Sequence, residues 1–258
     1  MKLLCIGDVC SPAGVETALH YIPELKKQYD IDCTVVNGEN ASVSNGLTAS
    51  DASLLFSAGA DVITGGNHTL RQKSLHTVLD ENPFVLRPDN IKTEYGGGYA
   101  LIDKGRYSVA VINLLGQVYI ENPKAENPFL AADELINRAK NDGASVIVVD
   151  FHAEATSEKR ALGFYLDGKV SAFFGTHTHV QTSDIQILPG KTGYVTDIGM
   201  TGPVDSVLGV KKDIIISRMR DKKTDKFEFA DGKCMISGCV FEIDEKAGHT
   251  ISVESFCI

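Results

Sequence analysis

The chain has 258 residues, with 25 Lys plus Arg against 34 Asp plus Glu, for a net charge of −9. A composition 43% hydrophobic and 23% charged, with 6 Cys, excludes a disordered tail and a disulfide scaffold. No apolar run approaches the roughly 20 residues of a membrane span, and the acidic balance argues against extensive nucleic-acid binding while leaving room for a local basic pocket.

The opening stretch Met1 to Asp8 has too short an apolar run for a signal peptide and no small-residue cleavage site. The cysteines (Cys5, Cys10, Cys33, Cys234, Cys239, Cys257) form no CxxC pair. They are expected to be reduced, mostly as small buried hydrophobes, in a cytoplasmic protein.

Short apolar runs alternate with helical patterns, which predicts an α/β fold. No repeat, low-complexity tract or linker divides the chain, so residues 1–258 are read as one domain. Leu3 to Ile6 reads as a strand ending in Gly7-Asp8. Val15, Ala18, Leu19, Ile22 and Leu25 then recur at helical spacing, in a helix that Pro23 is expected to kink or split. Cys33 to Val36 is a second strand, ending in Asn37-Gly38-Glu39-Asn40. Thr48 to Asp51 has the pattern of a capping box opening a helix through Ala58. Asp61 to Thr64 is a third strand, ending in Gly65-Gly66-Asn67-His68.

Gly98 to Ile102 and Ser108 to Ile112 predict a hairpin around Asp103-Lys104-Gly105. A helix follows, with Ala132, Leu135, Ile136 and Ala139 on one face. Val146 to Val149 runs as a strand into Asp150-Phe151-His152, and Val170 to Phe174 into Gly175-Thr176-His177-Thr178-His179. The late segments Ile185 to Leu188, Tyr194 to Thr196, Met235 to Ile243 and Thr250 to Phe256 read as antiparallel strands. The whole suggests two sheets stacked between helix layers.

Five strand ends therefore deliver Asp8, Glu39-Asn40, Asn67-His68, His152 and His177/His179. In open α/β sheets, sites gather beyond the carboxyl ends of strands, so these loops can converge. Each motif alone is weak or moderate; their joint occurrence is specific. His20, His76 and His249 lack such neighbours and read as ordinary surface or core histidines.

Gly7-Asp8, Gly38-Glu39-Asn40-Ala41, Gly66-Asn67-His68-Thr69 and Gly175 to His179 resemble the ordered motifs of calcineurin-like metallophosphoesterases. Asp150 to Lys159, Val180-Gln181-Thr182 and Asp197 to Pro203 resemble, more narrowly, the YmdB-like 2′,3′-cyclic-nucleotide phosphodiesterases. The resemblance runs the length of the chain. It implies a four-layer α/β/β/α sandwich and two metal ions. One would be held by Asp8, Glu39, Asn40 and His179; the other by Glu39, Asn67, His152 and His177, with Glu39 bridging. In the wider superfamily a His follows the first Asp by two; here Cys10 stands there, and Asn40 takes the place of that ligand rather than a Cys10 thiolate.

Carboxylates, amide oxygens and imidazoles together suit Fe, Mn or Zn better than Ca. Two ions roughly 3.5–4 Å apart can share a water, lower its pKa to give the attacking hydroxide and clamp phosphoryl oxygens. His68 is the spare imidazole and is assigned as general acid for the leaving oxygen. The resemblance implies opening of 2′,3′-cyclic nucleotides at the 2′ bond, a small phosphodiester substrate and a homo-oligomer. A nucleotidase or phosphomonoesterase on the same centre is the nearest alternative. A nucleotide- or metal-sensing regulatory protein is the alternative of a different class, against which the leaving-group acid argues.

Several positions stay open. Thr156 and Thr178 either contact phosphate or cap local turns. Asn113 to Leu130 is a long irregular segment that either covers the substrate or bridges layers. Leu70-Arg71 follow the Gly-Asn-His-Thr motif where relatives commonly carry an aromatic and an acid, and Arg71 either salt-bridges on a helix or adds positive charge near phosphate. Glu154 and Glu158 either orient ligand histidines or form a solvated helix face.

Overall fold

A computed structural model describes residues 1–258. In chain order the strands begin with β1 (Lys2–Ile6), β2 (Asp8–Val9), β3 (Cys33–Asn37) and β4 (Val62–Thr64). They continue with β5 (Tyr99–Asp103), β6 (Ser108–Leu115), β7 (Val146–His152) and β8 (Ala172–Thr176). Then come β9 (Gln186–Ile187), β10 (Gly193–Val195), β11 (Met200–Pro203) and β12 (Ser206–Val207). The last are β13 (Val210–Lys211), β14 (Cys234–Met235), β15 (Ser237–Asp244) and β16 (His249–Cys257). The helices are α1 (Ser11–Tyr29), α2 (Ala49–Ala58), α3 (Lys73–Glu81), α4 (Pro128–Asn141), α5 (Thr156–Leu166) and α6 (Lys212–Asp221).

Two sheets dominate, with strand orders β16-β15-β1-β3-β4 and β5-β6-β7-β8-β10-β9. Alternation along each strand explains why they stack. In β1, Leu4 and Ile6 join a core with Val15, Ile22 and Leu55 from α1 and α2, while Leu3 and Cys5 join a second core with Val111, Val148 and Phe174 of the other sheet. In β7, Val146 and Val148 face that shared core, while Ile147, Val149 and Phe151 face Ala132, Leu135 and Leu162 of α4 and α5. Successive side chains point to opposite faces. Strands apolar on both faces therefore demand a covering layer on each, and the result is a four-layer α/β/β/α sandwich. Full burial of each such aliphatic side chain contributes about 1.5–3 kcal/mol.

The predicted hairpin is β5–β6, paired Tyr99↔Ile112 through Asp103↔Ser108. Thr48 and Asp51 close the capping box of α2. Cys5, Cys33 and Cys239 pack in the inter-sheet core, and all six thiols are free.

Three expectations change. The first helix is not split: α1 runs unbroken through Pro23, which lies on its exposed side, where water can satisfy the carbonyl that a proline leaves without a donor. Tyr194 belongs to β10, which pairs parallel with β8 and antiparallel only with β9. The segment after β6 does not cover the site. Ile120 and Ala125 pack with Ile91 and Leu115 in a small separate core, and Glu158 accepts hydrogen bonds from the backbone amides of Gln117 (2.8 Å) and Val118 (3.2 Å). Glu158 thus anchors this bridge and orients no ligand histidine.

Candidate metal centre

β1, β3 and β4 run parallel to one another in one sheet, as β7 and β8 do in the other, and all end at the same edge of the sandwich. Asp8, Glu39, Asn40, Asn67, His68, His152, His177 and His179 meet there. Nε2 of His152 is the hub: it lies 3.1 Å from Glu39 Oε1, 3.2 Å from Asn67 Oδ1 and 3.0 Å from His177 Nδ1. The ligand atoms of Glu39, His152 and His177 all lie within 4.8 Å of one another. Beside the same carboxylate oxygen, Asn40 Nδ2 is 3.3 Å from both Glu39 Oε1 and His179 Nε2, and Asp8 Oδ1 is 3.7 Å from His179 Nε2. The two histidines of the HxH loop thus take different partners, His177 beside His152 and His179 beside Asn40 and Asp8. Their backbones adopt φ of 101° at His177 and 64° at His179, a region that costs a non-glycine residue roughly 1–3 kcal/mol and is concentrated at functional sites.

Three observations fit a bound cation. Asp8 Oδ1 is buried without any hydrogen-bond partner, an arrangement that is expensive for a carboxylate unless a positive charge faces it. Oδ2 of the same carboxylate is already held by the His177 amide at 3.0 Å. Gly66 gives the cluster its space: a Cβ there would stand 2.3 Å from His152 Nε2 and 2.5 Å from Glu39 Oε2. The donors are carboxylate, amide and imidazole, the set that divalent transition ions take.

The electrostatics follow the same pattern. Burial opposes charge on both Glu39 and His152, but their contact prevails. Glu39 is held well below the usual carboxylate range, and His152 is pushed up to about 9. Burial and the adjacent His152 pull His177 down to about 3. Burial raises Asp8. Burial, with the Asp8 and Glu39 charges, pushes the Cys10 thiol well up, and its Sγ rests 3.4 Å from His179 Nδ1.

Residues behind the cluster aim it. Asp150, two positions before His152 on the same strand, accepts from Asn37 Nδ2 (2.9 Å), Thr64 Oγ1 (2.5 Å) and Thr176 Oγ1 (2.7 Å). Because the Thr176 hydroxyl donates to Asp150, it accepts from His152 Nδ1 at 2.9 Å. That fixes the ring's tautomer and turns Nε2 inward. Glu154 Oε2, 3.1 Å from His177 Nε2, does the same for His177 and leaves Nδ1 facing the cluster. Asp197 braces the HxH loop. It accepts from Thr178 N (3.1 Å), Thr178 Oγ1 (2.7 Å) and the wholly buried Lys159 ammonium (2.7 Å). Thr178 is therefore tied down rather than free for phosphate, and Thr156 lines a separate polar pocket. Sequence reasoning assigned no role to Asp150, Thr176, Lys159 or Asp197. The signal was an ionisable residue inside an apolar strand, Val146 to His152, sharing a face with the ligand two positions on.

His68 lies just above the cluster on a partly exposed ring. Nδ1 is 3.0 Å from Asn40 Oδ1 and 3.1 Å from Glu39 Oε1, while Nε2 has no protein partner. A cavity of about 840 Å³ opens here, lined by Glu39, Asn40, His68, His177 and His179 below. Nine of residues 207–229 line its other side, and Arg71 its rim; no residue from 113 to 130 lines it. His20, His76 and His249 are absent from it too.

The family described as "YmdB-like protein" matches residues 4–256. The chain is 43% identical over 259 residues to a Bacillus subtilis (strain 168) protein named "2′,3′-cyclic-nucleotide 2′-phosphodiesterase", covering 100% of this chain and 97% of that one. Two solved structures share the fold throughout. A phosphatase of Mycoplasma pneumoniae gives a TM-score of 0.94 at 34% identity, covering 100% of this chain and 93% of that one. A Thermus thermophilus protein described only as hypothetical gives 0.92 at 33%, covering 100% and 99%.

Proposed function

We infer, since this chain belongs to the YmdB-like family of calcineurin-type metallophosphoesterases and is a metal-dependent phosphoesterase, that it uses two metal ions to open nucleoside 2′,3′-cyclic phosphates, leaving the 3′-phosphate. The observation that carries the reading is that Glu39 Oε1 lies 3.1 Å from His152 Nε2 and 3.3 Å from Asn40 Nδ2, His152 adjoining Asn67 and His177 and Asn40 adjoining His179. One ion would be held by Asp8, Glu39, Asn40 and His179, the other by Glu39, Asn67, His152 and His177. The ligand chemistry favours iron, with manganese or zinc as substitutes. For Asn40 to ligate through oxygen its amide must turn over, since its nitrogen faces His179 here. When bound, the ions supply Lewis acidity that activates water and stabilises charge on the phosphoryl oxygens.

The chain's own residues do the rest. His68 is anchored through Nδ1 by the Glu39 carboxylate, so the proton it can transfer is the one on Nε2, to the departing 2′ oxygen. Thr176 and Glu154 hold His152 and His177 with one nitrogen inward. Asp197 and Lys159 keep the strained HxH loop in place. The cavity admits a small phosphodiester, and the chain acts as one domain. A cytoplasmic location belongs to the same reading, supported by the six free thiols; no helix is long and apolar enough to cross a membrane.

The reading is tested by incubating the metal-loaded enzyme with 2′,3′-cyclic AMP and, separately, with adenosine monophosphates. Loss of the cyclic ester alone supports it. Loss of the monophosphates alone would mark a phosphomonoesterase, and loss of neither a binding protein.

A further inference from the structure

The second wall of the cavity is an excursion between β11 and β14. Its helix α6 buries no residue, and the excursion presents Met219, Phe227 and Phe229 to the opening. Three cations also line the cavity: Arg71, Arg218 and Lys226. Of the other cations on this excursion, three are paired, and Lys222, Lys223 and Lys233 stand exposed in solvent outside the cavity. Lys211 is paired with Glu228 at 2.7 Å, Lys212 with Asp205 at 2.6 Å and Arg220 with Asp221 at 2.8 Å, and none of these three faces the cavity. Arg71, Arg218 and Lys226, which do, pair with no carboxylate. The Arg218 guanidinium lies 4.2 Å over the Phe227 ring, a stacking that leaves its edge N–H donors free. In a chain of net charge −9, three unpaired cations lining one cavity, beyond the metal ligands, call for an anion.

A nucleoside 2′,3′-cyclic phosphate with its scissile group at the ligand cluster turns its 5′ carbon away, across the width of the ribose. A phosphate there would leave the cluster for the cavity's outer part. We propose that Arg71 and Arg218, assisted by Lys226, form a second phosphate subsite, so that the preferred ligand is a nucleoside 2′,3′-cyclic phosphate that also carries a 5′-phosphate. This rests on the reading of the reaction given above and names its substrate more narrowly. Both a free 5′-phosphorylated nucleotide and the 3′ end of an RNA strand present this chemistry.

The test reads equilibrium binding of two reaction products to the wild-type enzyme by calorimetry, so no turnover is needed. Adenosine 3′,5′-bisphosphate should bind at least about tenfold more tightly than adenosine 3′-monophosphate, as expected for a charge-assisted phosphate contact. The R71M/R218M double variant should bring the ratio to about one, while K212M, a paired cation outside the cavity, should leave it unchanged. Equal binding of the two ligands by wild type, or a preference that survives R71M/R218M or falls equally in K212M, would overturn the subsite. A trinucleotide with a 3′-phosphate that binds as tightly as the bisphosphate assigns the subsite to RNA ends; weaker binding assigns it to the free nucleotide. If the enzyme leaves 2′,3′-cyclic AMP intact yet keeps the tenfold preference, the proposed reaction fails and the subsite stands.

Discussion

The Thr176 hydroxyl lies 2.9 Å from Nδ1 of His152 and hands its own proton to Asp150 at 2.7 Å. The imidazole at the hub of the cluster is thereby fixed in one tautomer by a residue from the neighbouring strand. Thr176→Val keeps the shape and removes the acceptor. Its metal affinity should fall about 10- to 100-fold, while Thr176→Ser should retain it. A metal titration of the two variants checks this, and equal affinities would remove Thr176 from the account.

Metal loading should release a proton. In the metal-free protein burial disfavours the charged His152 ring, but Glu39 and Asp8 outweigh it and raise the group from 6.5 to about 9. The ring is therefore protonated at neutral pH and must become neutral to ligate. His177, lowered to about 3, has no proton to lose there. Apparent metal affinity should rise about tenfold per pH unit below about 9 and then level off. The stability that His152 lends the metal-free fold runs the opposite way: present in full below 6.5, it is lost as pH rises through about 9. Calorimetry in buffers of different ionisation enthalpy counts the released proton, and none released would contradict the assignment.

Gly66→Ala should empty the centre without unfolding the chain. The added methyl meets His152 at 2.3 Å and Glu39 at 2.5 Å, and neither can retreat through the packed strands behind. Gly97→Ala, with nothing within 4 Å, is the matched control. Metal content and circular dichroism are the readouts. A Gly66→Ala protein with normal metal content would show that the space it keeps open is not needed by the ion.

His68→Ala should lower kcat roughly a hundred- to ten-thousandfold on an alkoxide leaving group while leaving metal content nearly intact. With a p-nitrophenyl ester, whose leaving group needs no proton, the loss should be small. An equal loss on both substrates would make His68 a structural partner of Glu39 rather than an acid.

Much of this was legible in the sequence. Strand ends are marked by apolar runs meeting Gly-Asp, Gly-Glu-Asn or Gly-Asn-His, so the residues gathered at the edge could be named from spacing and motif. The inter-sheet stacking followed from strands such as β1 and β7 that are apolar on both faces. The excursion forming the outer wall was not legible: α6 buries nothing, so no apolar period marks it, and no motif singles out its lysines and arginines. The supporting partners Asp150 and Asp197 were missed for another reason. A buried acid is recognised by what faces it across the sandwich, and Asn37 and Thr64 come from the other sheet.

The central claim is that this chain directs two-metal chemistry at the 2′ bond of a cyclic phosphodiester. Identifying the product after the metal-loaded enzyme acts on 2′,3′-cyclic AMP tests it most directly. The account predicts adenosine 3′-phosphate as the product; adenosine 2′-phosphate, or cyclic substrate left intact by fully loaded enzyme, would contradict it.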